Sequence, residues 1–244
     1  MNIITIKSKN LLSSLQNDPS TDPDDLCQIE WAYLPFLDRR GDVSPKLLEG
    51  RLATDPEFFC EVIQLIYHPQ NDDAERSEPT EDEQAIATNA WELLHAWKTP
   101  PGTQPNGTFL EDRFRTWVET ARKISGETGH LQVSLNHLGH VLFYSPQNPD
   151  GLWIDRTVAD VLNENDMEDM RRGYSIEAYN SRGVHTVDPT GKPERKLAKD
   201  YREKAEAVED AGYHRFAATL KEIANSYDQD AKRVIADPDQ EGPN

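Results

Sequence analysis

Apolar residues recur at intervals of three and four along most of this chain, and this spacing constrains the fold more than any other feature of the sequence. Leu110, Phe114, Trp117, Ala121 and Ile124, for example, step by four, three, four and three. Such a stripe lies on one face of an α-helix, whereas a half-buried strand alternates with a period of two. About nine segments show helical spacing and no convincing strand pair appears, so the sequence predicts an all-α fold.

Prolines and capping residues predict where several helices begin. Ser44–Pro45 and Asp55–Pro56 each combine a favoured N-cap with a proline in the first turn, which predicts a short helix after each pair. The helix after Asp55–Pro56 is apolar nearly all round and should therefore be central and buried. Two capping boxes, Thr80-x-x-Glu83 and Thr108-x-x-Glu111, predict the starts of two longer helices.

Composition divides the chain into regions. Residues 69–84 hold seven acids, one base and no large apolar residue, which is typical of a solvated loop. Residues 130–144 fit either a helix or a short hairpin, and their helical surroundings favour the helix. The predicted regions are a polar N-terminal segment, a helical domain or first solenoid half that contains the acidic loop, a C-terminal helical region and a disordered tail, at 1–22, 23–150, 151–235 and 236–244.

The last two predicted helices, 194–210 and 213–235, each carry one apolar stripe and a charged opposite face. They should fold back on each other as an antiparallel hairpin, 194–235, with Gly212 between them. The whole chain is then either an irregular helical bundle or a short α-solenoid of stacked helix pairs that ends in this hairpin. No clean internal repeat decides between the two.

The net charge of the chain indicates which kinds of partner it can bind. The chain carries 26 Lys and Arg against 44 Asp and Glu, a formal net charge of −18. Such acidity repels phosphate backbones, so direct nucleic-acid binding is not expected, but it can steer a basic protein partner. Cys27 and Cys60 lie in apolar contexts without metal-ligand spacing, as is typical of reduced cytoplasmic proteins. No apolar run is long enough for a membrane span, so the expected location is cytoplasmic.

Residues 178–196, AYNSRGVHTVDPTGKPERK, hold the densest cluster of reactive side chains. Ser181, His185 and Asp188 are the residue types of a nucleophile triad, but all three lie within one loop and a G-x-S-x-G elbow is absent. A recognition loop is the stronger functional interpretation. In it Arg182, His185 and Lys192 would donate hydrogen bonds to an acidic or phosphorylated partner.

The same segment also fits a plain connection between two helices, which is the simplest interpretation. The tetrapeptide Asp188–Gly191, DPTG, has the residue preferences of a type I turn. Gly183 should end the preceding helix, and Pro193 should lie in the first turn of the next one. The polar groups of the segment would then cap two helix ends.

Three histidines fall on one side of a helix over 130–144. His130 lies about 10 Å further along this helix than the other two, at 1.5 Å per residue, so only His137 and His140 are weak candidates for a metal site. No nearby Cys or Asp completes the ligand set, and H-E-x-x-H is absent. The sequence therefore predicts neither a metal nor a cofactor.

Long stretches of the chain resemble the C-terminal helical region of large uncharacterised bacterial proteins. The resemblance covers about residues 25–235 and is carried by CQIEWAYLPFLD, AIATNAWELLHAWKTPPGTQPNG, GLWIDRTVADVLN and MRRGYSIEAYNSRGVHTVDPTGKPERKLAKDYREKAEAVEDAGYHRFAATLKEIANSYDQDA. It implies a bacterial helical module, and some proteins of that group are described as transcriptional regulators or antitoxin-like proteins. It assigns a catalytic role to no residue. Because those proteins are longer, the chain is expected to be a separately encoded or truncated module.

These features together predict a non-enzymatic bacterial protein-interaction module, regulatory or associated with defence. The prediction follows from many amphipathic helices, strong acidity and the lack of a convergent catalytic set in the sequence. Two alternatives stay open. One is an acidic, antitoxin-like inhibitor that masks a basic nucleic-acid-binding partner, and the other is a hydrolase centred on residues 178–196.

Overall fold

The computed structural model describes residues 11–36, 44–70, 78–104, 106–183 and 188–236. Within these ranges every regular element is a helix, apart from one isolated β-bridge between Thr103 and Phe109. The predicted all-α fold is therefore confirmed. Contacts between residues divide the chain into two compact units, Met1–Ser134 and Leu135–Asn244, whereas the boundary predicted from the sequence follows residue 150.

The first unit contains six helices and the start of a seventh among its described residues. In chain order they are α1 (residues 11–16), α2 (Pro23–Tyr33) with a 3-10 turn (Leu34–Phe36), α3 (Lys46–Thr54), α4 (Pro56–Ile66), α5 (Glu81–Ala96), α6 (Glu111–Glu127) and α7 (Leu131–Leu142). Helix α1 is not predicted from the sequence, although its Leu12 is fully buried. None of the helices in the described ranges is both long and apolar enough to cross a membrane.

Helix α4 is the centre of the first unit, as predicted. It packs against α3, α5 and α6, and buries most of its apolar residues. Phe59 contacts two indole rings, with centroids 5.6 Å from Trp97 and 5.1 Å from Trp117. Each buried aromatic of this size contributes roughly 1.5–3 kcal/mol by leaving water. The all-round burial of α4 is not complete, because Leu65 faces solvent and is 45% exposed.

Helix starts in this unit follow the predicted caps in some places and not in others. The Asp55 carboxylate accepts the Phe58 N–H at 2.9 Å, and Thr80 opens α5 with a complete capping box. The predicted box at Thr108 is wrong, because α6 begins only after Leu110 and has no side-chain cap. The Thr108 carbonyl accepts the Gln104 N–H at 2.8 Å, so Thr108 pairs with the preceding segment and not with a helix.

The second unit is built around the predicted antiparallel hairpin. Its further helices are α8 (Arg156–Asn163), α9 (Glu168–Asn180), α10 (Lys192–Asp210) and α11 (His214–Ala236). Helices α10 and α11 pack along their length, and an ion pair of 2.6 Å joins Lys221 to Glu209 near the turn. Helices α8 and α9 both pack on α11. Helices that contact several partners in this way form an irregular bundle.

Residues 131–142 are helical, which resolves the ambiguity between helix and hairpin in favour of the predicted helix. Two glycines let this helix, α7, cross α9 at very short range. A β-carbon on Gly139 would lie 1.9 Å from the Met170 carbonyl oxygen, and one on Gly173 would lie 1.8 Å from the Asn136 carbonyl oxygen. No side chain fits at these distances, so the crossing requires glycine on both helices.

Candidate functional site

The segment 178–196 forms an ordered connection from α9 to α10 in its described part. Gly183, with φ of 64°, follows the end of α9 at Asn180. The predicted turn at Asp188–Gly191 is confirmed by a 2.9 Å hydrogen bond from the Gly191 N–H to the Asp188 carbonyl. Gly191 has φ of 61° and precedes the first residue of α10. Left-handed backbone at both glycines explains why the sequence places glycine there.

The predicted recognition residues have different environments. The Arg182 guanidinium forms an ion pair with Glu194, whose side chain is only 3% exposed. Its charge is therefore balanced within the chain. Lys192 is exposed at the first residue of α10. His185 lies outside the described residues.

Two members of the proposed triad are engaged with other groups. The Ser181 hydroxyl donates to the Ala178 carbonyl at 3.2 Å. The Asp188 carboxylate accepts the Thr190 N–H at 2.9 Å and its hydroxyl at 2.7 Å, and these bonds lower the pKa of Asp188. Asp188 thus stabilises the turn.

A cleft of about 570 Å³ lies beside this connection, and we call it the α10 cleft. Four of its side chains are aromatic and two are basic, and the remainder are small, apolar or acidic. The lining residues are Phe143, Trp153, Ala178, Ser181, Arg182, Leu197, Asp200, Tyr201, Glu203, Lys204 and Tyr227. Arg182 of the predicted recognition loop and Ser181 of the predicted triad are among them.

The aromatic wall of the α10 cleft is fixed by hydrogen bonds and stacking. The rings of Tyr201 and Tyr227 are stacked, with centroids 5.7 Å apart. The Trp153 indole N–H donates to the Lys204 carbonyl at 3.1 Å, which holds the indole against α10. The Tyr227 hydroxyl donates to the Ala178 carbonyl at 3.1 Å, which ties α11 to α9. A rigid wall of this kind loses little conformational freedom when it binds a partner.

Lys204 lies inside this aromatic wall. Its Nζ is 4.9 Å from the centroid of the Trp153 ring and 5.0 Å from that of the Tyr201 ring, within the range of cation–π attraction. Burial lowers the pKa of Lys204, and the nearby Asp200 charge opposes that shift. The ammonium group is thus partly desolvated and lies against two ring faces. A ligand group can compete with it for contact with these faces.

The histidines predicted as weak metal candidates are close together. The rings of His137 and His140 stack at 5.7 Å, and His140 Nδ1 lies 3.4 Å from a Glu177 carboxylate oxygen. The Tyr144 hydroxyl donates to the other oxygen of Glu177 at 2.5 Å. Within the described ranges, no three His, Cys, Asp or Glu side chains are placed to hold a metal ion. The Glu177 carboxylate instead joins one histidine and one tyrosine.

Two buried glutamates in the first unit were not predicted as functional residues. Glu30 of α2 is fully buried, and its carboxylate accepts the N–H groups of Leu47 and Leu48 at the start of α3, at 3.2 and 3.0 Å. This carboxylate therefore replaces the predicted Ser44 cap, and α3 begins at Lys46.

The second buried glutamate is Glu49 of α3, which is 8% exposed. It lines a cleft of about 680 Å³ that we call the α3 cleft. The cleft is lined by Ser44, Lys46, Leu47, Glu49, Gly50, Arg51, Thr54, Thr99, Thr103, Gln104 and Gly107. Burial raises the pKa of Glu49 to about 7, so this carboxyl group is close to half ionised at neutral pH.

No protein-family model, no curated protein and no solved structure matches the chain. The chemistry of the two clefts is therefore the basis for assigning a function. Of the residues that line them, the sequence marks Arg182 and Ser181 as candidate site residues. Glu30 and Glu49 did carry a signal, because each acid lies four residues from an apolar residue on the buried stripe of its helix.

Proposed function

We propose that this chain is a non-enzymatic protein-interaction module, and that the α10 cleft receives an apolar or aromatic side chain of its protein partner. The observation that carries the proposal is the composition of the cleft wall. It combines Trp153, Tyr201, Tyr227 and Arg182, and Trp, Tyr and Arg are the residue types most enriched at interface hot spots. The partly buried Lys204 adds a cation that suits an acidic group beside the inserted side chain.

The geometry of residues 178–196 supports binding over hydrolysis. Ser181 and Asp188 donate and accept within their own turns, and neither contacts the other. The Ser181 hydroxyl proton is directed to a backbone carbonyl, which cannot act as the base that a nucleophile needs. We further propose a bacterial, cytoplasmic setting, in line with the sequence resemblance and with two free thiols, Cys27 and Cys60.

A blocked cleft tests this function directly. Ser181 is exposed and lines the α10 cleft, so Ser181→Trp should fill the cleft without disturbing the core. Asn180→Trp adds the same exposed ring one residue earlier, outside the lining, and serves as the matched control. A peptide-display selection on the wild-type chain should enrich sequences with an aromatic or long apolar residue. The enriched peptides should bind the control normally and the Ser181→Trp variant at least about tenfold more weakly.

Two outcomes would count against the proposal. One is a selection that enriches no sequence class, and the other is enriched peptides that bind Ser181→Trp and wild type equally. Binding that persists in Ser181→Trp and weakens steeply with salt would favour the acidic, antitoxin-like inhibitor instead, because exposed charge pairs are screened by salt.

A further inference from the structure

The α3 cleft of the first unit has a buried carboxylate, that of Glu49, in its wall. The side chain is only 8% exposed, yet it forms part of the cleft wall. Its carboxylate accepts hydrogen bonds from the Ser44 hydroxyl and the Lys98 backbone N–H. A carboxylate has about four acceptor positions, so two protein donors leave room for donors from a ligand.

The charges around Glu49 do not offset the cost of burying it. Burial is the largest influence on its pKa, and the charge of Lys98 is the smallest. Glu30 on α2 carries the same sign and opposes ionisation further. Of the two bases in the cleft wall, Arg51 is directed to Asp55 at 3.3 Å and lies 4.1 Å from the Phe58 ring centroid. The other, Lys46, is exposed at the first residue of α3.

Thr103 gives an independent sign that a polar ligand belongs in this cleft. Its hydroxyl oxygen is buried and has no hydrogen-bond partner among the described residues. Thr103 lines the same cleft as Glu49, together with the hydroxyl-bearing Thr54 and Thr99. Buried polar atoms almost always have a partner, and an unmatched one at a cleft wall indicates a position for a ligand donor.

We propose that the α3 cleft binds a guanidinium or primary ammonium group, with the Glu49 carboxylate as its counter-ion and the Thr103 hydroxyl as a further acceptor. Both groups are cations with several N–H donors, which match a carboxylate and a neighbouring hydroxyl at once. Such a pair satisfies the buried charge that the described residues around Glu49 leave unbalanced. The net charge of −18 also attracts cations to the whole chain.

The cation can come from a free small molecule or from an arginine or lysine side chain of a partner. Methylguanidinium and its neutral isostere methylurea test the chemistry, and the capped tripeptide Gly-Arg-Gly and its citrulline counterpart test the side-chain source. We expect methylguanidinium or the arginine peptide to bind at least about tenfold more tightly than its neutral match, because only the cation pairs with the carboxylate. Binding of the peptide but not of methylguanidinium identifies a partner side chain as the source.

Substitutions assign the binding to this cleft. Glu49→Gln should reduce the affinity at least about tenfold, and Thr103→Val, which removes only the hydroxyl, should weaken it several-fold. Glu61→Gln removes a charge from an exposed position on α4 outside the cleft and should bind as wild type does. Calorimetric affinity should rise about 30-fold between about pH 5.5 and about pH 8, as Glu49 ionises around its pKa of about 7.

Three results would overturn the proposal. They are equal binding of the cation and its neutral match, unchanged affinity in both Glu49→Gln and Thr103→Val, and no binding of either cation at millimolar concentration. Since Thr103→Val keeps Glu49 in place, it tests the site even if Glu49→Gln alters the fold. A failure here leaves the α10 cleft unaffected, because that site and its Ser181→Trp test involve different residues.

Discussion

Replacing Glu49 by glutamine should stabilise the protein at alkaline pH and have little effect in acid. The folded pKa of about 7 exceeds the unfolded value of 4.5, so between these values the folded state binds more protons than the unfolded state. Stability therefore falls as the pH rises from 4.5 to 7, and the full cost remains above 7. Through this difference in pKa, ionisation of Glu49 costs the wild-type protein about 3 kcal/mol of unfolding free energy. The Glu49→Gln variant avoids this cost because glutamine is neutral.

Urea unfolding of wild type and Glu49→Gln at several pH values measures this cost. Four of the five tryptophans lie within residues 1–134, so indole fluorescence mainly reports the unit that contains Glu49. The stability difference between variant and wild type should grow by about 2–3 kcal/mol from pH 5 to pH 8 in favour of the variant. Any change in the hydrogen bonds from Ser44 and Lys98 alters the unfolding free energy of the variant by the same amount at both pH values. It therefore does not affect the difference between them.

The exposed Glu61 provides the control for this measurement. Glu61→Gln removes one charge from α4, and its stability difference from wild type should vary by less than about 0.5 kcal/mol over the same range. If Glu49→Gln showed a pH-independent difference, the carboxyl group would not be a buried acid with a raised pKa, and the explanation given for the α3 cleft would fail.

Three further substitutions test the helix crossing, a cap and a buried ion pair by urea denaturation. Gly173→Ala should cost about 1–3 kcal/mol, because its methyl group meets a backbone carbonyl of α7, and a neutral or stabilising effect would refute the close crossing. Thr80→Ala should cost about 1 kcal/mol and Thr108→Ala less than about 0.5, since only the first caps a helix; equal costs would contradict this difference. Arg182→Met should cost about 3 kcal/mol by leaving the Glu194 charge buried, and adding Glu194→Met should recover part of that loss, whereas additive costs would argue against coupling.

The sequence predicts the helices well because their signals are local. A stripe such as Phe114, Trp117 and Ala121 reports which face is buried, and all three are buried in α6. Caps are also local, but they need the chain to turn at the right residue. Thr108 has the correct spacing, but its carbonyl accepts the Gln104 N–H and α6 begins only after Leu110. That pairing depends on contacts that no short pattern contains.

Neither cleft could be predicted, because a cleft is a gap between helices and not a property of one helix. The aromatic wall of the α10 cleft brings Trp153, from the loop before α8, against Tyr201 and Lys204 of α10. These residues are about 50 positions apart in sequence. Periodicity indicates that Tyr201 faces inward, but it does not show that a cleft opens beside the ring.

The three buried glutamates differ in how fully their charges are balanced by neighbouring groups. Glu30, Glu49 and Glu194 each lie on the apolar stripe of a helix, where a charge must find a partner. Glu194 has the Arg182 guanidinium, and Glu30 accepts three hydrogen bonds, two of them from the first turn of α3. Glu49 has a hydroxyl and one backbone N–H, and its ionisation is still disfavoured. Glu49 also lines the α3 cleft, which is where a cation from outside the chain can reach it.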